Sequence, residues 1–206
     1  MNRIFMGVMA TGVAAVLAAC APEVKTEAVS GALEPMEAKR FEAGDRWVYL
    51  VNGKEEVETI TAVDGDLYSG ANLTTGCEYT FFHAAFGPAK TFTNCNGSSG
   101  TQEVERSGSI FPLTVGASES WDVSGRNTKG DTWDTTRSCE VEGTARVTVP
   151  AGTFDTYHVV CNDTWRVRER WVAPELGFSV IRRDAHKERG EVKTRELVSF
   201  TPAASS

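Results

Sequence analysis

The feature that most constrains this chain is a period of two. After residue 44 no window holds a helical repeat, while apolar and polar residues alternate again and again. Trp47, Tyr49 and Val51 share one face of an extended segment. So do Val57, Thr59, Thr61 and Val63, followed by the turn signal Asp64-Gly65. Cys77, Tyr79 and Phe81 alternate with Glu78, Thr80 and Phe82. Val141, Gly143, Ala145, Val147 and Val149 alternate with Glu140, Glu142, Thr144, Arg146 and Thr148. Tyr157, Val159 and Cys161 follow the same rule, and residues 178–187 and 191–200 read as a long hairpin around Arg189-Gly190. The chain is rich in Val and Thr and poor in Leu, which suits a pleated, half-buried surface better than a helix. The expected fold is therefore all-β or mainly β: an antiparallel meander of roughly ten strands forming a barrel or a curved half-barrel. At 206 residues the chain suits one domain, which the pattern places over residues 44–202, with a short tail at 203–206.

The cysteines bear on the same fold. Besides Cys20 the chain carries Cys77, Cys95, Cys139 and Cys161. A set of four cysteines allows three connectivities, and the hairpin reading selects one. Cys77 and Cys95 are symmetric about Phe86, in a loop broken by Gly87-Pro88. Cys139 and Cys161 are symmetric about Pro150, in the turn Val149-Pro150-Ala151-Gly152. Each pair then faces across its own hairpin, within disulfide reach. Each closes a loop of about 20 residues, worth on the order of 3 kcal/mol in the chain-entropy picture. A four-cysteine metal site is disfavoured, because no Cys-x-x-Cys spacing is present.

The beginning of the chain has a different character. Arg3 precedes an uncharged apolar run that ends in Leu17-Ala18-Ala19-Cys20. The run is shorter than the roughly 20 apolar residues a spanning helix needs, and it has the form of a secretory signal peptide over residues 1–19. Leu17-Ala18-Ala19-Cys20 resembles the lipobox of bacterial lipoproteins. The resemblance implies cleavage before Cys20 and acylation of that cysteine, so that the bilayer becomes a partner through its acyl chains. Two or more chains anchor stably where one does not, at roughly 0.8 kcal/mol per buried CH₂. Ala21 stands where an Asp implies inner-membrane retention, so the same resemblance favours the outer membrane, periplasmic side. Residues 20–43, with Pro22, Pro35 and several Ala and Glu, have the composition of a flexible tether.

Few chemical functions survive a search of the remainder. A net charge of -7 argues against nucleic acid as a partner. His83, His158 and His186 fall in three separate segments without metal-ligand spacing. Gly116-Ala117-Ser118-Glu119-Ser120 lacks the second glycine of a nucleophile elbow. The acidic pairs Asp64/Asp66, Asp131/Asp134 and Glu140/Glu142 read as solvated. No enzyme, metal or cofactor is expected, and a wall- or glycan-acting enzyme is the least favoured alternative. Trp47, Trp121, Trp165 and Trp171 fall in or beside strands and are expected in the core. Trp133, in the polar stretch 122–137, is the candidate exposed contact for a ligand or partner. The last hairpin carries Arg182, Arg183, Asp184, Lys187, Lys193, Arg195 and Glu196, a mixture of signs that reads as a solvated face guarding an edge strand.

Three segments carry a second resemblance: residues 111–121 around Pro112-Leu113 and Trp121, residues 147–157 with Val149-Pro150-Ala151-Gly152-Thr153-Phe154, and residues 171–183 opening on Trp171-Val172-Ala173-Pro174. As a set, over about residues 110–183, they resemble β-rich bacterial secreted and lipoprotein domains of unknown function. Some of these look like curved-sheet carriers of the lipoprotein-localisation type. Val172 departs from the frequent aromatic, and the four cysteines lie outside the general pattern. The resemblance transfers no catalytic residue. It implies a non-enzymatic module holding an apolar or lipid-like ligand in the hollow of its sheet. The alternative is an accessory lipoprotein docking on an envelope protein complex.

Overall fold

The computed structural model describes residues 23–83 and 86–204, so Cys20 and the segment expected to be a signal peptide lie outside the described residues. The described chain holds twelve strands and no helix. The first six are β1 (Arg46–Val51), β2 (Lys54–Asp64), β3 (Leu67–Asn72), β4 (Cys77–Phe82), β5 (Thr91–Cys95) and β6 (Ser98–Gly108). The second six are β7 (Ser118–Asn127), β8 (Thr132–Val149), β9 (Gly152–Asn162), β10 (Arg166–Ala173), β11 (Phe178–His186) and β12 (Val192–Thr201). Each strand pairs antiparallel with the next, and β12 returns to β1, so the sheet closes on itself as a barrel. Closure satisfies every ladder and leaves no edge. The last hairpin therefore guards nothing. Its two sides pair with β10 and β1.

Both cysteine pairs bridge neighbouring strands as the hairpin reading requires, Cys77 to Cys95 and Cys139 to Cys161. Cys139 and Cys161 are direct cross-strand partners in β8 and β9. The turn between these strands takes only Pro150 and Ala151, with Gly152 at φ 142°, where a side chain is strained. Pro174 and Gly177 likewise flank the reversal from β10 to β11, which is closed by the Gly177 N–H donating to the Ala173 carbonyl at 2.8 Å.

Bulges or irregularities break the register at five places, including Val141/Gly143 in the β8–β9 pair and Trp171/Val172 in the β10–β11 pair. A bulge bends its strand and re-aims the residues beyond it. The long β8–β9 hairpin thus reaches β12, where the Ala151 N–H donates to the Leu197 carbonyl at 3.0 Å. Val147 and Val149 join Trp171, Ile181 and Leu197 in one buried cluster. A second cluster gathers Ile110, Leu113, Val141 and Val159 around the Cys139–Cys161 bridge.

Within the flexible tether expected over residues 20–43, the described stretch from Glu27 to Phe41 lies along the barrel. Glu27 exchanges two backbone hydrogen bonds with Arg146, and Met36 exchanges two with Leu113. Met36 is buried in the second cluster, and the Tyr157 hydroxyl reaches the carbonyls of Leu33 and Glu34 at 3.1 and 2.9 Å. Phe41 meets Trp47 edge-on at 5.2 Å. Composition names a tether by its Pro, Ala and Glu content, but two apolar side chains and two backbone bridges suffice to lay it down.

Candidate functional site

The barrel interior encloses a cavity of about 1090 Å³ that opens to solvent. Barrel diameter grows with strand number, and a twelve-stranded barrel is wider than its own side chains readily fill. The cavity wall has two halves of unlike chemistry.

One half is aromatic. In the register of β3 to β5, Tyr68 faces Phe81 and Tyr79 faces Phe92, and all four rings line the cavity. Trp133 of β8 completes this side, 6.3 Å from the Phe92 ring, with its Nε1–H donating to Gln102 Oε1 at 2.9 Å. Two glycines make room for these rings. A Cβ on Gly125 would come within 2.6 Å of Trp133, and one on Gly100 within 2.5 Å of Phe92. Trp133 is thus half-buried and turned inward, not the exposed contact its polar neighbours suggest, because parity in β8 rather than sequence neighbourhood sets its direction. The tryptophan that meets solvent is Trp165, expected in the core but 36% exposed in the turn before β10.

The other half is ionic. Arg182 pairs with Glu58 at 2.7 Å, donates to the Tyr49 hydroxyl at 3.0 Å and lies 4.5 Å over the Tyr49 ring. Lys193 pairs with Glu56 at 2.8 Å, and Arg170 with Asp184 at 2.8 Å. Arg168 pairs with Asp163, whose carboxylate also accepts the N–H groups of Trp165 and Arg166 at 2.9 and 2.8 Å. Arg195 reaches Asp184 at 3.3 Å, and Arg137 reaches Asp163 at 3.4 Å. All of these charged side chains line the cavity, and Tyr49 lies buried behind Arg182. The mixed charges of the last hairpin are therefore split. Arg182, Asp184, Lys193 and Arg195 face inward, while Arg183 pairs with Glu169, whose place in β10 is offset by one residue from the inward Arg168 and Arg170. The signal that reveals this is charge at i, i+2 spacing: Arg166, Arg168 and Arg170 on one strand, Arg182 and Asp184 on the next, Lys193 and Arg195 on the third.

The ionic half shifts its own titrations. Burial works to raise the Asp184 carboxyl, but Arg170, Arg195 and Arg168 outweigh it and hold it below the usual range. Burial opposes Arg168 and two backbone donors at Asp163 in the same way, and Lys193 and Arg195 at Glu56, and both carboxyls end low. Burial pushes the Tyr49 phenol up to about 12 against the pull of Arg182. Because these three carboxyls sit below their unfolded values of 3.8 for Asp and 4.5 for Glu, the stability they add is complete above those values. It is lost as pH falls through the lower folded values. The melting temperature is expected to hold nearly level down to about pH 5 and then fall steeply toward pH 3. A scan of thermal unfolding against pH checks this, and a flat profile through pH 3 contradicts it.

The remaining candidates stay apart. His158 stacks on Trp171 at 4.6 Å, His83 on Tyr68 at 5.2 Å, and His186 turns Nδ1 to the N–H groups of Glu188 and Arg189 at 3.3 Å. The acidic pairs Asp64/Asp66, Asp131/Asp134 and Glu140/Glu142 are exposed. Among the described residues no group of three or more His, Cys, Asp or Glu is placed to hold a metal ion.

No family model and no curated protein matches the chain. Among solved structures it is similar to the hypothetical lipoprotein YmcC of Escherichia coli, at 10% identity and a TM-score of 0.50, over 77% of this chain and 85% of that one. It also aligns with an exported protein of YmcC-like fold from Bacteroides fragilis, at 13% identity and a TM-score of 0.40, over 81% of this chain and 99% of that one. At 10% identity the likeness to the Escherichia coli protein is one of fold.

Proposed function

We propose that the chain is a non-enzymatic lipoprotein of the cell envelope, tied to the outer membrane on its periplasmic side by acyl chains on Cys20. Its barrel binds a lipid-like amphiphile. The observation that carries this reading is the solvent-open cavity of about 1090 Å³, one side of which is aromatic. That volume lies at the upper end of common small-ligand pockets, about 1,000 Å³, and has room for a chain-bearing molecule. A purely apolar ligand fits less well, because burying it against paired arginines and carboxylates strips them of water without replacing their hydrogen bonds. The Escherichia coli neighbour, itself called a hypothetical lipoprotein, accords with the lipobox at Leu17-Ala18-Ala19-Cys20. Oxidised cysteines accord with export as well.

Mass spectrometry of the protein extracted from its own membrane tests both parts. The denatured spectrum should show a covalent diacylglyceryl and acyl adduct at Cys20, abolished in Cys20→Ser. The native spectrum should show a further, non-covalent amphiphile. An unadorned Cys20 removes the anchor, and a native mass equal to the denatured one removes the ligand.

A further inference from the structure

The ionic wall is not balanced. Arg168 has Asp163, Arg170 has Asp184, Arg182 has Glu58 and Lys193 has Glu56 as near partners. Arg137 and Arg195 are left over. Arg137 has only a 3.4 Å contact to Asp163, which Arg168 already occupies. Arg195 shares Asp184 at 3.3 Å and lies 3.7 and 3.9 Å from Glu56 and Glu58. In both side chains Nε is buried and bonds to nothing among the described residues. A desolvated guanidinium without a full partner destabilises the fold that holds it. Burial, with Arg168 beside it, lowers Arg137 to about 10, so it still carries its charge at neutral pH. This excess of cations sits inside a protein whose net charge is -7, so it belongs to the cavity and not to a generally basic surface.

We infer that the cavity takes an amphiphile with an anionic headgroup, a phosphate or a carboxylate, whose oxygens accept from Arg137 and Arg195 while its apolar part lies on the aromatic side by Phe92 and Trp133. This deepens the amphiphile reading above and rests on it. Guanidinium groups donate to such oxygens in a planar fork, and the low dielectric of the cavity strengthens the contact. The carboxylates of the wall hold Arg168, Arg170 and Arg182 and leave these two, each with a buried Nε, for the ligand. A neutral or cationic headgroup leaves both guanidinium groups unpaired.

The test titrates the full-length protein, purified in a neutral maltoside detergent, with palmitoyl-lysophosphatidylglycerol, palmitoylglycerol and inorganic phosphate, reading occupancy by native mass spectrometry. The anionic lysolipid is expected to bind about tenfold tighter than palmitoylglycerol, since hydrogen bonds to charged groups differ by that order. Arg137→Gln and Arg195→Gln should each weaken the lysolipid about tenfold and leave palmitoylglycerol unchanged, with Arg137→Lys, which keeps the charge and loses the fork, binding between the native protein and Arg137→Gln. Removing an uncompensated buried charge should also leave the melting temperature of Arg137→Gln level or raise it. Unchanged lysolipid binding in the double glutamine variant overturns the headgroup assignment and leaves an amphiphile site standing. So does a lowered melting temperature in Arg137→Gln, which makes that arginine a structural partner. Phosphate binding as tightly as the lysolipid keeps the anion site and removes the lipid. Failure of all three probes overturns both readings.

Discussion

Replacing Cys139 and Cys161 together by Ala is expected to lower the unfolding free energy by about 3 kcal/mol from loop entropy alone, and by more once packing is included. The bridge closes a separation of 22 residues, and in the chain-entropy picture that length sets the first contribution. The second comes from location. Both cysteines are 1% exposed and sit among Val141, Val159 and Tyr157, so removing two sulfurs opens a void in close-packed surroundings. For a chain of this size the entropic part alone lowers the melting temperature by roughly 6–12 °C. Cys77–Cys95 makes the informative comparison. Its separation is 18, nearly the same, but both residues are only partly buried and lie at the cavity wall. Its loss should cost the loop entropy and little more. Thermal unfolding of the two double variants, followed by circular dichroism, should rank them in that order. Equal losses mean that packing around the buried sulfurs contributes nothing.

The fold was legible because its signals are local and agree. Alternation in β1, the Asp64-Gly65 and Pro150-Ala151 turns, and cysteines symmetric about two reversals all point to an antiparallel meander. Closure was not legible. It depends on β12 finding β1 across some 150 residues, with a bulge between Val48 and Tyr49 that no propensity encodes. The site was legible in its residues and illegible in its direction. A strand inside a closed barrel shows period two whichever face is polar, so the charges of β11 and β12 look like solvent-facing charges. What turns Arg182 and Arg195 inward is their register with each other and with Val51, which brings Arg182 to Glu58 and Tyr49, a tertiary fact. Trp133 faces the cavity for the same reason, and Met36 is buried because the Leu113 segment that receives it lies far along the chain.

Arg182→Ala is expected to destabilise the barrel by about 3–5 kcal/mol, the range for stripping one partner from a buried ion pair. The Glu58 side chain is 8% exposed, and without Arg182 its nearest cation is Arg195 at 3.9 Å. Tyr49, fully buried, loses the guanidinium over its ring and the donor at its hydroxyl, keeping only its bond to the Ser179 carbonyl at 2.9 Å. Its phenol, already pushed up to about 12, should rise further. Replacing the pair together, Glu58→Gln with Arg182→Met, should recover most of the loss, because neither member is then left as a charge stripped of its partner. Denaturant unfolding of the three variants measures both effects, and a double variant as unstable as Arg182→Ala shows that the pair is not the source. The contrast with Arg137 follows from partner count alone. Arg182 and Arg137 line the same cavity and differ in what faces them, a whole carboxylate in one case and a shared one at 3.4 Å in the other. Removing the first should lower the melting temperature and removing the second should not. A loss at one arginine and none at the other, on one wall, separate the arginines that hold the barrel from those available to a ligand.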